Sequence, residues 1–475
     1  MEAVYPGQCA VSVEHDQGVM EAGLFRFLRF SLGLEGEAKG LLDGRKGSFD
    51  WDACYQFAKR QTLVGVLFDG IQRLPKELAP ARPLLLRWLS DSESIRRRNM
   101  RIDRASAYIY NKVCAAGFRC CILKGQGNAL LYPHPSSRTP GDVDVWVMAN
   151  REELRHIALS LTEGDGSSLQ ESLNHIGLTV HGVSMELHST PALLNSPLHN
   201  SRLQKWLKRN ADLQCSNRIA LPNNAGEVAV PTLSFNIIYQ LCHLFHHCFY
   251  EGVGLRQIVD YFVLMNTDFS GNTDEASGNT DEGCLFLNTD FTDFTDKVSG
   301  NTDEDGVLSN TDFTDNTDRI GGNAESDGSL MNTDCTDFLD SSSGGLGEVD
   351  SGGALVALQE ELKWLGLGEF AGAVMYVLRE VMGLDEKRMI CAPDERRGRL
   401  LLEEIMAGGN FGHYDTRNHF GQGALWHNIQ RFRRDWRLLR FYPSEALSEP
   451  LFRAWHFLWR WKQKHIGMPK ERNLN

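Results

Sequence analysis

Apolar residues recur at two different periods along this chain, and the change of period divides it. Trp51, Cys54, Tyr55 and Ala58 fall at i, i+3, i+4 and i+7, as do Val64, Leu67, Phe68 and Ile71. That spacing lines one side of a helix, so residues 1–110 are expected to form a helical lead-in. From Phe118 to about His188 the period shortens. A compact apolar run from Cys120 to Leu123 is followed by alternation through Asp142, Val143, Asp144, Val145, Trp146 and Val147, and by a hairpin-like pair around His181-Gly182, the pattern of half-buried strands. Helical spacing returns from Thr232 to Leu264 and from Leu355 to Met382. The expected class is α/β (α+β): a small mixed-sheet core in residues 111–230, a helical segment at 231–265 and a helical region at 354–475.

Residues 266–353 break both periods. They repeat Asn-Thr-Asp eight times and carry 16 Asp and 5 Glu against Lys297 and Arg319, a net charge of -19. With so few aliphatic residues the segment gains little by burial, so it is expected to be a disordered acidic insertion. A flexible loop of 88 residues is tolerable because closure entropy grows only logarithmically with length. A calcium-binding array is the alternative for so many Asp side chains, but the spacing is irregular and no glycine-punctuated loop with a closing Glu recurs. The helical pieces on either side are expected to pack on each other.

The insertion also changes the meaning of the overall charge of -13: without it the chain carries 47 basic and 41 acidic residues, or +6. A mildly basic remainder is compatible with a phosphorylated substrate, though it selects none. No stretch reaches the roughly 18 apolar residues that a membrane helix needs, and no basic-then-apolar leader opens the sequence. The eleven cysteines contain no CxxC pair, which argues for reduced thiols rather than a disulfide framework. A cytoplasmic protein without a membrane span is expected.

Candidate chemistry concentrates in Ile122-Leu-Lys-Gly-Gln-Gly127, Arg138 and Gly141-Asp-Val-Asp-Val-Trp-Val147. Side chains at i and i+2 of a strand share a face, so Asp142 and Asp144 would stand side by side while Val143 and Val145 enter the core. Two adjacent anions at the start of an apolar strand call for a cation, and Mg²⁺ bridging nucleotide phosphates suits oxygen ligands, with Mn²⁺ as its substitute. Glu186, in Val183-Ser-Met-Glu-Leu-His188, is the expected third carboxylate, with Met185 and Leu187 inward and His188 on its own face. Backbone amides after Lys124-Gly125, where a strand turns towards a helix, would receive phosphate oxygens, and Lys124 or Arg138 would neutralise them. A D-x-D pair also occurs in turns and surface strands; Arg138 could simply brace a loop, and His188 could be a hydrogen-bonded supporting residue. The K-G-x-G before the pair and the E-x-H after it give the set its weight.

Three other clusters compete for attention. Cys242, His243, His246, His247 and Cys248 crowd one helix, and His243 with His247 has zinc-compatible i, i+4 spacing; the apolar neighbours Leu241, Leu244, Phe245 and Phe249 favour a packed helix. Gly408 to Gly412, followed by His413, is a glycine-rich run that alone says little about phosphate. In the tail from Leu425 to Lys464, Trp426, Trp436, Trp455, Trp459 and Trp461 alternate with Arg431, Arg433, Arg434, Arg437, Arg440 and Arg453. Such interleaving could grip nucleic acid or a membrane surface, but the favoured expectation is a buried aromatic stripe edged by snorkelling arginines.

The succession I-L-K-G, L-Y-P, Arg138, G-D-V-D-V-W-V, M-E-L-H and then G-L-R-Q-I-V-D (Gly254 to Asp260) resembles an uncharacterised bacterial nucleotidyltransferase family, itself similar to the polymerase-beta superfamily. The resemblance runs from the Trp51 region to Asp260 and touches Gly408 to Gly412 and Tyr442-Pro443. It implies a nucleotidyltransferase core, metal ligation and catalysis by Asp142, Asp144 and Glu186, and nucleotide binding by Lys124, Gly125, Arg138 and His188. The donor would be a nucleoside triphosphate, ATP among them, and the acceptor a small molecule, a protein or an RNA. Gly125 is followed by Gln126 rather than the superfamily's Ser or Gly, and the gap to Asp142 is long. The rival expectation is a non-catalytic relative that keeps the fold as a scaffold.

Overall fold

The computed structural model describes residues 21–36, 49–162, 169–267, 351–415, 417 and 424–466. The chain divides into two units, Met1–Phe269 with Asp350–Asn475, and Ser270–Val349. Everything below belongs to the first. The second, and with it nearly all of the expected acidic insertion, lies outside the described residues.

The lead-in is helical: α1 (residues 21–31), α2 (Trp51–Arg60), α3 (Val64–Gln72) and α4 (Arg82–Ala115). Asp50 starts α2 by accepting the Ala53 amide proton at 2.9 Å, an N-cap that satisfies one orphan donor. Both apolar stripes are buried apart from the partly exposed Trp51, and between them Trp88 donates its indole N–H to the Val64 carbonyl at 2.9 Å. Gly65 lets α3 approach the loop that leads to Asp142: a Cβ there would stand 2.2 Å from the Ser137 carbonyl oxygen.

The sheet has five strands in the order β1-β2-β5-β4-β3, formed by β1 (Cys120–Leu123), β2 (Val143–Val147), β3 (Gln170–Glu171), β4 (His175–Val180) and β5 (Val183–His188), with the short α5 (Gly125–Ala129) after β1 and α6 (Arg151–Leu161) after β2. Only β2 and β5 pair in parallel among the described strands of this sheet; its other pairs are antiparallel. Parallel pairing requires a crossover, and α6 lies in it, started by a capping box between Asn150 and Glu153. His181 and Gly182 join β4 to β5 with φ of 50° and 72°, the left-handed pair that a tight hairpin turn demands.

Helix α7 (Pro197–Ser216) and a separate hairpin, β6 (Arg218–Leu221) with β7 (Gly226–Ala229), precede α8 (Leu233–Tyr250) and α9 (Leu255–Asn266). The chain resumes with α10 (Ser351–Trp364), α11 (Gly368–Val377), α12 (Glu395–Gly408), α13 (Ala424–Leu439) and α14 (Pro443–Ile466). Both α10 and α11 pack on α8, so the helical pieces on the two sides of the insertion do meet. The architecture is mixed α/β with helical flanks. No described helix is long and apolar enough to cross a membrane.

The tail departs from the expected buried stripe. Phe432, Trp436, Trp455 and Trp461 are 62%, 67%, 51% and 52% exposed. The inward positions belong instead to Leu438, Tyr442 and Ala446 and to buried acids, Asp435, Glu445 and Glu449. Glu445 accepts the amide protons of Asn195 and Ser196 at 2.7 and 3.2 Å, beside the N-terminus of α7, where the helix dipole favours an anion. Arg453 is held by Glu449 and lies 3.6 Å from Asp435. Committing those acids to the interior turns the aromatic faces outward.

Candidate active site

Register creates the acidic cluster. Asp144 on β2 is the partner of Glu186 on β5, and alternation sends Val143, Val145, Met185 and Leu187 into the core. Asp142, one residue before β2, is exposed, Asp144 is 6% exposed and Glu186 lies between them in burial. One carboxylate oxygen from each of the three can lie within 4.8 Å of the others. An all-oxygen donor set of three carboxylates suits a hard divalent cation.

Beside it stands the turn from β1 to α5. Lys124 has φ 51° and ψ -125°, a region that costs a residue with a side chain about 1–3 kcal/mol, and Gly125 follows at φ +32°. The side chain of Lys124 reaches Asp144 Oδ2 at 2.8 Å and His243 Nε2 at 3.1 Å. Gln126 does not face the cleft: it is buried and donates its amide to Asp103 on α4. The residue that departs from the superfamily pattern therefore anchors the turn from behind.

Charge in the cluster is finely divided. Crowding by the cleft walls and then the negative charge of Asp144 raise the pKa of Asp142. Burial pushes the Asp144 carboxyl the same way, but the Lys124 ammonium and the His188 ring overcome it and hold Asp144 well below the usual carboxylate range. His188 Nε2 lies 3.0 Å from Asp144 Oδ1 and 3.2 Å from Glu186 Oε2. Burial would lower its pKa, yet these two partners push it up to about 8. Its Nδ1 is buried without a hydrogen-bond partner.

Arg138 is brought to the edge of this site but is committed elsewhere. Its Nε and Nη2 lie 2.7 and 2.8 Å from the two oxygens of Asp260, and Tyr132 donates its hydroxyl to the same carboxylate at 2.7 Å. Arg256 stands 3.7 Å from Asp260. Burial would raise the pKa of Asp260; Arg138 outweighs it and keeps the carboxyl low. The L-Y-P, Arg138 and G-L-R-Q-I-V-D motifs thus meet in one buried ion-pair network behind the cleft, with only Nη1 of Arg138 lacking a partner.

A cavity of about 600 Å³ opens over the carboxylates, within the range of small-molecule sites. Its far wall is α8. His243 and His247 approach Nε2 to Nε2 at 2.7 Å, and His247 Nδ1 lies 3.0 Å from Glu251; burial and then Lys124 hold the pKa of His243 well below the ordinary imidazole range. No third metal-ligating side chain joins these two among the described residues. The glycine-rich run serves this wall too: Phe411 lies 5.1 Å from the His247 ring, and a Cβ on Gly412 would meet the Glu251 carbonyl at 2.2 Å.

Two residues near the site, His175 and Asp103, belong to none of the motifs the sequence offered. His175 had a signal, because counting outward from the two-residue turn pairs Val183 with Val180 and His188 with His175. Asp103 had none, since its partner Gln126 lies on another element; Tyr132 stood in the L-Y-P motif, but nothing there pointed to Asp260 as its partner.

A mixed sheet that sets three carboxylates from one parallel strand pair beside a lysine-glycine turn has the layout of a nucleotidyltransferase core. Residues 47–277 match the model of the family described as uncharacterised nucleotidyltransferase. The match ends before Gly408 and Tyr442. The crystal structure of an antigenic nucleotidyltransferase-like protein from Paracoccidioides brasiliensis aligns over 41% of this chain and 87% of that chain at 15% identity, with a TM-score of 0.24, a likeness that carries no argument. No curated protein matches the chain.

Proposed function

We propose that this protein transfers a nucleoside monophosphate from a nucleoside triphosphate, ATP among the donors, to an acceptor hydroxyl or amine, with Mg²⁺ as its cation. The observation that carries this reading is the alignment of Asp144 with Glu186 and Asp142 in one oxygen cluster at the floor of the cavity. When bound there, divalent cations would activate the attacking group and steady the leaving pyrophosphate. Asp142, Asp144 and Glu186 supply the ligands, and Mn²⁺ would satisfy the same donor set. Lys124 is positioned to move from Asp144 to a phosphate oxygen, and the first amides of α5, which have no partner inside the helix, would face the same group. Arg138 contributes by fixing the loop before Asp142 through Asp260. The described cysteines are all free, which fits a cytoplasmic setting.

One observation favours a non-catalytic binding module instead. Lys124 and His188 already stand against Asp144 as counter-charges, so this carboxylate has partners without an ion. Incubation with nucleoside triphosphates labelled at the α- or the γ-phosphate, together with small-molecule, protein and RNA pools, separates the two. Retention of the α-label alone, lost in Asp142→Asn, supports transfer; binding of nucleotide with no α-label retained in any pool supports the module.

A further inference from the structure

We propose that His175, Glu186 and His188 form a second divalent-ion site beside the three carboxylates, one that takes a transition ion of the Zn²⁺ or Co²⁺ kind in preference to Mg²⁺. The backbone places these groups together. His175 on β4 is the direct antiparallel partner of His188 on β5, and Gly177 is the partner of Glu186, so β4 itself puts no side chain opposite the carboxylate. The two rings lie 5.1 Å apart at 53°. Each presents its Nε2 to a different oxygen of the same carboxylate, His175 at 3.6 Å from Oε1 and His188 at 3.2 Å from Oε2. One ligand atom from each of the three can lie within 4.8 Å of the others.

Those separations are the size of a coordination shell. Ligands about 2.0–2.1 Å from a tetrahedral ion stand roughly 3.3 Å from one another, and the two nitrogen-to-oxygen distances of 3.6 and 3.2 Å straddle that value. Two imidazoles and one carboxylate are donors that zinc-like ions accept readily and that Mg²⁺, which prefers oxygen, does not. The set supplies three protein ligands rather than four. Glu186 and His175 keep 29% and 22% of their side-chain surface, and both border the cavity, so the remaining position opens towards it, as in catalytic rather than structural zinc sites.

Hydrogen bonding alone accounts for the group less well. His188 Nε2 is within reach of both Asp144 and Glu186, and one N–H cannot satisfy two carboxylates fully. Lys124 sits on the other oxygen of Asp144, and among the described residues the ion-pair partners of Glu186 are His175 and His188. Glu186 would then be shared, one side facing the oxygen cluster and the other the imidazoles. This inference rests on the geometry of β4 and β5 and not on nucleotidyl transfer.

The test is titration of the metal-stripped, full-length protein with Co²⁺, read by visible absorption, which reports nitrogen ligation at low coordination number. The wild type should develop an intense band that saturates at one equivalent, His175→Gln should lose it, and Asp142→Asn should keep it. His188→Gln should also lose it, but His188 is buried; His175→Gln, at a partly exposed position, decides the matter provided its melting temperature in chelator matches that of the wild type. A wild type without the band, or a band indifferent to His175→Gln, overturns the site. Binding of Mg²⁺ with nucleotide is read separately, so failure here leaves the proposed activity standing or falling on its own test.

Discussion

Asp144 and Glu186 are register partners across β2 and β5. Because the pairing is parallel, both strands deliver their carboxylates to one edge of the cavity, with Asp142 two residues ahead. If these groups hold the cation for transfer, Glu186→Gln should cut α-label transfer by about 10²-fold or more, the order lost when a charge-stabilising group is removed from a transition state. Half-buried Glu186 adds little to the core, so its variant should melt close to the wild type. Equal transfer rates in the two proteins would remove Glu186 from the site.

The buried pair of Arg138 and Asp260 predicts a different response. Arg138→Met leaves the Asp260 carboxylate without its main counter-charge, and stranding a buried charge costs about 3–5 kcal/mol. Tyr132→Phe removes one hydrogen bond to the same oxygen and should cost about 0.5–1.5 kcal/mol. Denaturant unfolding of both variants checks the order. If Arg138→Met is as stable as the wild type but loses nucleotide affinity, the residue binds substrate and does not brace.

Asp103 gives a pH signature behind the turn. Burial raises its pKa to about 6, against the opposing hydrogen bond from Gln126. The folded value lies above the unfolded one of about 3.9, so protonation favours the folded state. Stability from this group is complete below about pH 4 and is lost as pH rises through about 6, by at most about 3 kcal/mol. Asp103→Asn abolishes that slope. Melting curves from about pH 4 to pH 7 should show the wild type losing ground to the variant; parallel curves would contradict the assignment.

The outward aromatic faces of α13 and α14 make a negative prediction. Trp436→Ser and Trp455→Ser should change unfolding free energy by no more than about 0.5 kcal/mol, as exposed positions do. Truncating either as a core residue would cost about 3–5 kcal/mol. A loss of that size would restore the buried stripe.

The sequence made the sheet legible where side chains alternate: Asp142 to Val147 and Val183 to His188 disclosed their faces, and His181-Gly182 disclosed the turn. It could not assign Arg138, because the choice between phosphate and Asp260 depends on a helix more than a hundred residues away. Nor could it orient the tail. Tryptophan and arginine at helical spacing describe an amphipathic surface without saying which face is inward, and the buried Glu445, Glu449 and Asp435 settled that through contacts with α7 and Arg453. The role of Gln126 was hidden for the same reason, since its partner Asp103 lies on a long helix with no motif.

The most direct test of the central claim is calorimetric titration of a nucleoside triphosphate analogue that resists α–β cleavage, with and without Mg²⁺, into the wild type and Asp144→Asn. The account predicts binding that needs Mg²⁺ in the wild type and falls by at least about tenfold in the variant, as loss of one strong ligand interaction entails. Equal, metal-independent binding by both proteins, or no binding by a folded wild type to any of the nucleotides, would contradict it.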